Sequence, residues 1–409
     1  MRMDKSQEQQ IEDLLTRGVE QIFPSKEALK EALSNGRKIK LYCGFDPSAS
    51  SLHIGNAIQI NKLSQFQDLG HEVIFLIGDF TGMIGDPTDK SATRKKLTRE
   101  EVLENAKNYQ KQAEAFLRFD GENPAKVKYN SEWSDKVSFK DLIEITSNFT
   151  VGQMIQRDMF QERVKNEKPI YLHEFLYPVA QGYDSVAMDV DLELGGNDQM
   201  FNMLCGRDLM KAMRGKEKFV MTTKLLADDT GKKMGKSEGN AVFLDQEPFK
   251  IFENIMNWSD GVIGVAFELC TKVPFSEVKE IQEGLKSKKL DPRETKMRLA
   301  FEFVKLVHGE DEAQKAKKRY EEISFSVSPS LKFIEETEEV EIPENTKLTE
   351  FLVKAGLATS NSDARRKIEG NAVEIDLEKE ADWQRIFTKA DDGKVVKVGR
   401  GDFVRIRIV

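Results

Sequence analysis

The chain reads as an α/β protein built on a doubly wound parallel sheet, followed by an all-helical region and a small α+β tail. Three observations predict this. Short apolar runs alternate with polar helical segments from residue 39 to about 226, the pattern of strand–helix crossovers. Residues 247 to about 325 keep helical spacing without strand-like runs. From Phe351 to Val409 twelve basic residues outnumber ten acidic ones, whereas the 409-residue chain as a whole carries a formal net charge of −8.

Taken in order, residues 1–38 read as a polar helical segment, with Ile11, Leu14, Leu15, Val19 and Ile22 at helical spacing. The strands expected next are Ile39 to Gly44, Val73 to Gly78, Val127 to Tyr129, Val190 to Gly195 and Phe219 to Met221. Ala57 to Leu69 and Glu101 to Phe119 read as helices between them. In such sheets ligands bind beyond the carboxyl ends of the strands. Several runs end there in glycine plus an acid or amide: Gly44-Phe45-Asp46, Gly78-Asp79 and Gly195-Gly196-Asn197-Asp198. Asp291-Pro292-Arg293 opens a long helical pattern, with proline in the first turn. Six glutamates among residues 335–344 repel one another and read as a solvated linker. In the tail, Val404, Ile406 and Ile408 alternate with Arg405 and Arg407, which places the arginines on one face of a strand.

Composition narrows the function. A net charge of −8 excludes wholesale coating of nucleic acid, though not a local RNA-binding face. Three distant cysteines and four scattered histidines give no disulfide framework and no metal cage. The first twenty residues hold no apolar run, so no leader is expected. The longest strongly apolar stretch, Val73 to Ile77, falls far short of the ~20 residues of a membrane helix. A reduced, cytoplasmic protein is expected.

Two motifs carry phosphate chemistry. No Walker loop and no GxGxxG after the first strand are present. Instead Asp46-Pro47-Ser48 leads through His53-Ile54-Gly55-Asn56 from a strand into a helix, whose N-terminus offers N–H groups and a positive dipole. His53 and Asn56 lie three apart and share a face of the first turn. The second motif, Gly231-Lys232-Lys233-Met234-Gly235-Lys236-Ser237, is a cationic loop suited to neutralise a polyphosphate. Either alone is a weak signal, and the two in this order around an α/β domain are far more specific.

With these motifs the sequence resembles the class I aminoacyl-tRNA synthetases, whose HIGH and KMSKS signatures here read His53-Ile54-Gly55-Asn56 and Lys233-Met234-Gly235-Lys236-Ser237. Tyr42 to Pro47, Thr81 to Pro87, Tyr177 to Asp184 and Gly195 to Gln199 narrow the likeness to the bacterial-type tyrosyl members of that class. It covers nearly the whole chain. The tail is similar to a small RNA-binding module named after a ribosomal small-subunit protein, centred on Ser362 to Arg366. Asn56 stands where the signature has its second histidine, so no charged group is available there. Gly235 replaces the first serine of KMSKS.

The resemblance implies a Rossmann-like catalytic domain over 39–246, a helical domain for the tRNA anticodon region over 247–330, an acidic linker over 331–345 and an RNA-binding module over 346–409. It implies tyrosine–tRNA ligase activity: tyrosine and ATP give tyrosyl-adenylate and pyrophosphate, and the tyrosyl group passes to the 3′ end of tRNA(Tyr). Tyr42 and Asp184 would bond the phenol, and Asp86, Tyr177 and Gln181 the ammonium. Gln199 would sit beside the carboxylate, with Asp46 and Asp198 near the amino-acid and ribose ends. ATP would lie against Gly44, Asp46, Ser48, His53, Gly55, Asn56, Gly196, Asp198, Lys233, Met234, Lys236 and Ser237. His53, Lys233 and Lys236 would stabilise the transition state, assisted by Lys90 and Arg94 on the pyrophosphate side. Mg²⁺ would accompany ATP with no protein ligand assigned. A homodimer is implied, gripping tRNA through Arg365, Arg366, Arg405 and Arg407, with no DNA or membrane partner. The rivals are a tryptophan enzyme of the same fold, against which the phenol-type pair Tyr42 and Asp184 argues, another nucleotidyltransferase, and a catalytically dead RNA-binding relative, against which the retained lysines argue.

Overall fold

The computed structural model describes residues 5–87, 97–227, 241–325, 339–376, 378–399 and 402–409. They form two compact units, Met1–Gln314 and Lys315–Val409.

The first unit opens with α1 (Lys5–Thr16), which buries Ile11, Leu14 and Leu15. Residues 1–38 are not all helical as expected. After α1, Gly18 takes a φ of +65°, a backbone that L side chains resist, and the chain turns into β1 (Val19–Phe23). Val19 and Ile22, expected at helical spacing, are β-branched and, with Phe23, pair instead with the last strand of the sheet. Pro24 follows the strand. Ser25 then caps α2 (Lys26–Ser34), accepting from the Ala28 N–H at 3.2 Å.

The sheet continues through β2 (Lys40–Phe45), α3 (Ile54–Asp68) and β3 (Glu72–Ile77). α4 (Thr81–Ile84), α5 (Arg99–Ala106) and α6 (Tyr109–Ala113) lead to β4 (Lys126–Tyr129). A helical stretch follows: α7 (Ser131–Ser134), α8 (Phe139–Thr146), α9 (Val151–Ile155), α10 (Asp158–Lys165) and α11 (Leu172–Met188). β5 (Leu192–Gly196), α12 (Met200–Arg214) and β6 (Phe219–Thr223) complete it. The strand order is β1-β6-β5-β2-β3-β4, parallel throughout except for the antiparallel β1. The sheet is therefore mixed, five parallel strands plus the one that sequence reading missed. β3 is buried from Val73 to Ile77 and β5 along its length, as expected for strands covered on both faces. β3 and β4 are laid to one side of β2, and β5 and β6 to the other. The order thus reverses between β2 and β5, where a ligand crevice opens at the carboxyl ends.

Five further helices follow: α13 (Pro248–Met256), α14 (Val262–Cys270), α15 (Phe275–Lys286), α16 (Pro292–His308) and α17 (Glu310–Phe325). Asp291 caps α16 by accepting from the Glu294 N–H at 2.9 Å. The buried Arg17 guanidinium donates to the carbonyls of Phe267, Glu268, Thr271 and Val273 at 2.7–3.1 Å. A cation at the C-terminal end of α14 is favourably placed, and it ties the N-terminal segment to the helical region.

The second unit holds the helices Leu348–Lys354 and Asn361–Glu369 and a sheet ordered β7-β11-β10-β8-β9. Its strands are β7 (Glu339–Ile342), β8 (Val373–Ile375), β9 (Glu378–Lys379), β10 (Val395–Val398) and β11 (Asp402–Ile408). The expected linker 331–345 is corrected here: residues 339–342 are a strand, parallel to β11. Glutamates at alternate positions leave Ile342 free to face the core while Glu339 and Glu341 stand opposite Arg405 and Arg407.

Candidate active site

β2 and β5 lie side by side, with Tyr42 opposite Glu193. Tyr42 is buried, and its hydroxyl stands 3.0 Å from Ser185 Oγ and 3.4 Å from the Gln181 carbonyl. Burial raises its pKa well above the ordinary phenol, helped by the charges of Glu193 and Asp184. Asp184, one helical turn past Gln181 on α11, is buried too. Its Oδ1 accepts from Trp133 Nε1 at 2.8 Å and its Oδ2 from Asn130 Nδ2 at 3.3 Å. Burial pushes this carboxyl up, against the pull of those two donors.

From Asp184 a continuous path of polar contacts crosses the crevice. Asn130 Nδ2 also donates to Thr81 Oγ1 at 3.0 Å, Thr81 donates to Asp46 Oδ1 at 2.6 Å, and the Tyr177 hydroxyl donates to Asp46 Oδ2 at 2.8 Å. Asp46 follows β2, where burial raises it to about 7, opposed by its bonds to Thr81 and Tyr177 and assisted by the charges of Asp86 and Asp79. Further along, Gln199 Nε2 donates to Asp86 Oδ2 at 2.6 Å, and Gln199 Oε1 accepts from Asn202 at 2.8 Å. Arg157 lies 3.9 Å from Asp86. The seven residues expected around an amino acid, Tyr42, Asp46, Asp86, Tyr177, Gln181, Asp184 and Gln199, thus flank one crevice, with Gln199 committed to Asp86. One end pairs a phenol with a carboxylate. The other presents the carboxylates of Asp46 and Asp86.

The phosphate-type motif adjoins it. His53 precedes α3, and its N–H donates to Asn56 Oδ1 at 3.0 Å, so Asn56 serves the helix start. A Cβ on Gly55 would fall 2.8 Å from His53 Cε1, so glycine there makes room for the imidazole. The helix N-terminus is less open than the sequence suggested, because the Ile54 N–H is taken by the Val242 carbonyl at 2.8 Å. That contact and the Leu244 N–H to Leu52 carbonyl bond at 2.9 Å join residues 242–244 to residues 52–54. His53 and Phe243 face each other in a β-bridge. The chain that follows the lysine motif is therefore anchored at the histidine motif. Lys90, Arg94, Lys233, Met234, Lys236 and Ser237 lie outside the described residues. Gly44 is the penultimate residue of β2, Gly196 ends β5 and Asp198 lies in the 3₁₀ turn Asn197–Gln199. The Ser48 N–H donates to the Asp46 carbonyl at 2.8 Å.

Sequence reading missed Asn130, Trp133, Thr81, Ser185, Glu193, Arg157 and Lys218. Glu193, a charge in the middle of the apolar run Val190 to Gly195, was a readable signal. Lys218, just ahead of β6, is fully buried, yet its place in the sequence marks it no differently from a surface lysine. Among the described residues no cluster of His, Cys, Asp and Glu could hold a metal ion, and no helix is long and apolar enough to cross a membrane.

In the second unit each expected tRNA-binding arginine has an acidic neighbour. Arg365 bonds Glu369 at 2.7 Å and stacks 4.2 Å from the Trp383 ring, and Arg366 meets Asp363 at 3.2 Å. Arg405 and Arg407 lie 3.8 and 3.1 Å from Glu339.

The family described as tRNA synthetases class I (W and Y) matches residues 34–324, and the domain described as tyrosine–tRNA ligase SYY-like C-terminal matches residues 331–402. A tyrosine–tRNA ligase of Thermotoga maritima is 39% identical over 98% of this chain and 97% of its own. Tyrosine–tRNA ligase 2 of Vibrio cholerae is 40% identical over 96% of this chain and 97% of its own. Among solved structures, a C-terminally truncated mitochondrial tyrosyl-tRNA synthetase of Coccidioides posadasii superposes with a TM-score of 0.63 at 25% identity, covering 77% of this chain and 95% of its own. The tyrosyl-tRNA synthetase of Archaeoglobus fulgidus complexed with L-tyrosine shares the fold, with a TM-score of 0.59 at 21% identity over 76% of this chain and 99% of its own.

Proposed function

The chain belongs to the class I tRNA synthetases of the tryptophan and tyrosine type, and we propose that it is a tyrosine–tRNA ligase. The observation that carries this reading is the buried pair of Tyr42 and Asp184 at the β2/β5 reversal. A phenol hydroxyl brought there finds both a hydroxyl and a carboxylate. A benzyl ring brings no hydroxyl to meet them and an indole only a donor in another place, so either forgoes polar contacts that tyrosine makes, at about 1–3 kcal/mol.

The tyrosine ammonium would lie toward Asp86, Tyr177 and Gln181, and the carboxylate would point to the start of α3. That carboxylate attacks the α-phosphorus of ATP, the bond to the bridging oxygen breaks, and pyrophosphate leaves. The nucleophile is already ionised, so the protein need supply no base. Its contribution is placement and charge stabilisation. His53 would donate to the phosphate chain, and Lys90, Arg94, Lys233 and Lys236 would neutralise the leaving pyrophosphate. The anchoring of residues 242–244 beside His53 supports bringing the lysine motif to the same phosphates. Gly44, Ser48, Gly55, Asn56, Gly196 and Asp198 would receive the rest of the nucleotide. In the second step a terminal ribose hydroxyl of tRNA attacks the tyrosyl carbonyl and AMP leaves. Mg²⁺ would arrive bound to the ATP phosphates.

The second unit would grip tRNA. A homodimer is supported by the exposed apolar side chains Phe139, Ile143, Val151, Val164, Tyr171 and Leu172, which a second copy would cover. The testing experiment is ATP–pyrophosphate exchange without tRNA against each of the twenty amino acids. Exchange with tyrosine alone is expected. Exchange with tryptophan instead would overturn the pocket assignment, and none at all in an ATP-binding sample would overturn the enzyme reading.

A further inference from the structure

Beneath the proposed tyrosine pocket lies a second set of polar groups, centred on Lys218, to which the proposed function gives no role. Lys218 is fully buried, and its ammonium donates to Glu193 Oε2, to Ser185 Oγ at 2.8 Å and to the Met203 carbonyl at 3.1 Å. All three of its N–H bonds are used. Two arms lead from it to the pocket wall. One runs through Ser185 Oγ to the Tyr42 hydroxyl at 3.0 Å. The other runs through Glu193, whose Oε1 accepts from Gln181 Nε2 at 3.0 Å. Ser185 and Glu193 are linked in turn at 3.3 Å.

The close packing around the ammonium is built in. α11 and α12 approach at Gly182 and Gly206, where a Cβ on Gly182 would lie 3.0 Å from the Gly206 nitrogen. A Cβ on Gly206 would fall 2.5 Å from Lys218 Nζ, 2.9 Å from Ser185 Oγ and 3.1 Å from Glu193 Oε2. Glycine at 206 leaves room for these three polar atoms together. A buried ion pair is a poor source of stability, because desolvating two charges offsets their attraction. Its worth lies in fixing the groups around it.

We propose that Lys218 is a positioning residue for tyrosine recognition: with Glu193 and Ser185 it holds Tyr42 and Gln181, the two pocket-wall groups, from below. The proposal rests on the tyrosine–tRNA ligase reading of the crevice. In ATP–pyrophosphate exchange, Lys218→Met should raise KM for tyrosine about tenfold, leave kcat and KM for ATP within about twofold, and lower the preference for tyrosine over phenylalanine about tenfold. Gly206→Ala, which improves helix propensity yet crowds the same atoms, should move the same quantities in the same direction. The double variant Lys218→Met/Glu193→Gln, which removes the unpaired charge, should lie closer to wild type in KM for tyrosine than Lys218→Met alone. If Lys218→Met does not fold, Gly206→Ala and the double variant carry the test. Folded variants with unaltered KM for tyrosine and unaltered discrimination would overturn the proposal. So would equal losses in every parameter, the mark of a purely structural role. Wild-type exchange with an amino acid other than tyrosine would instead overturn the reading beneath it.

Discussion

The two compact units bury different chemistry. Around β2, β5 and the helices α11 and α12 the first unit encloses Tyr42, Asp184, Ser185, Glu193, Asn202 and Lys218. The second unit packs Leu348, Phe351, Leu352, Ile368, Phe387, Val396 and Ile406 into an apolar core, with Phe351 and Phe387 edge to face at 5.2 Å. Most of its ion pairs lie on the outside, with Asp391, paired to Arg385 and Lys394, buried. An apolar core is what folding alone asks for. Polar groups taken out of water cost free energy unless each finds a partner, so a chain that keeps so many in one place keeps them for a ligand. The tRNA proposed for the second unit, by contrast, would be met on its surface.

The sharpest break of that comparison is Asp184→Ala. Removing this carboxylate leaves Trp133 Nε1, Asn130 Nδ2 and the substrate phenol short of an acceptor, at ~1–3 kcal/mol each. Tyrosine-dependent exchange should fall about 10²- to 10³-fold in kcat/KM, while KM for ATP changes little. A normal rate would show that the polar interior is not the amino-acid pocket.

Removing the second unit tests the same contrast from the other side. Truncation from residue 339 should spare exchange and cut tRNA aminoacylation by about tenfold or more, because phosphate contacts of a basic surface supply much of RNA affinity. The cut belongs at 339 and not at 346, since β7 is paired with β11 and a cut at 346 would leave it as an unpaired edge prone to association. Aminoacylation untouched by the truncation would mean that the tail does not grip tRNA.

The alternation of strands and helices was legible because buried parallel strands must be continuous apolar runs, as Val73 to Ile77 shows. β1 was not legible, since Val19 and Ile22 fit a helical spacing until β6, elsewhere in the chain, claims them. β7 was hidden by charge: Glu339 and Glu341 look like linker until the opposing Arg405 and Arg407 are seen beside them. At the site, residues such as Tyr42, Asp184 and His53 stood out through motif resemblance. Their supports did not, because Lys218 and Ser185 lie far from them or pass as routine in sequence and meet only through the packing of α11, α12 and β6.

A pH profile sharpens the picture of the polar interior. Burial pushes the Asp46 carboxyl up to about 7 in the folded chain, against 3.8 for an ordinary aspartate. Between those values the folded state binds the extra proton, so this group's contribution to stability is greatest on the acid side and is lost as pH rises toward 7. Asp46→Asn should remove that slope, leaving Tm flatter than wild type between about pH 4 and 7. Parallel profiles for the two proteins would show that Asp46 is ionised throughout.

The smallest expected effect falls on the surface of the second unit. Arg407 stands 3.1 Å from Glu339 and 3.8 Å from Glu341, so its charge is already offset before any phosphate arrives. Arg407→Ala should weaken tRNA binding only about twofold at moderate salt, within the range of one exposed ion pair. Glu339→Gln/Glu341→Gln should do the reverse, tightening binding and steepening its dependence on salt, because two arginines then face the phosphates unopposed. The pair of measurements separates two ways a strand face can meet RNA. If the glutamate variant leaves tRNA affinity and its salt slope unaltered, β7 and β11 face away from the RNA, and the grip must come from Arg365 and Arg366 on the helix Asn361–Glu369.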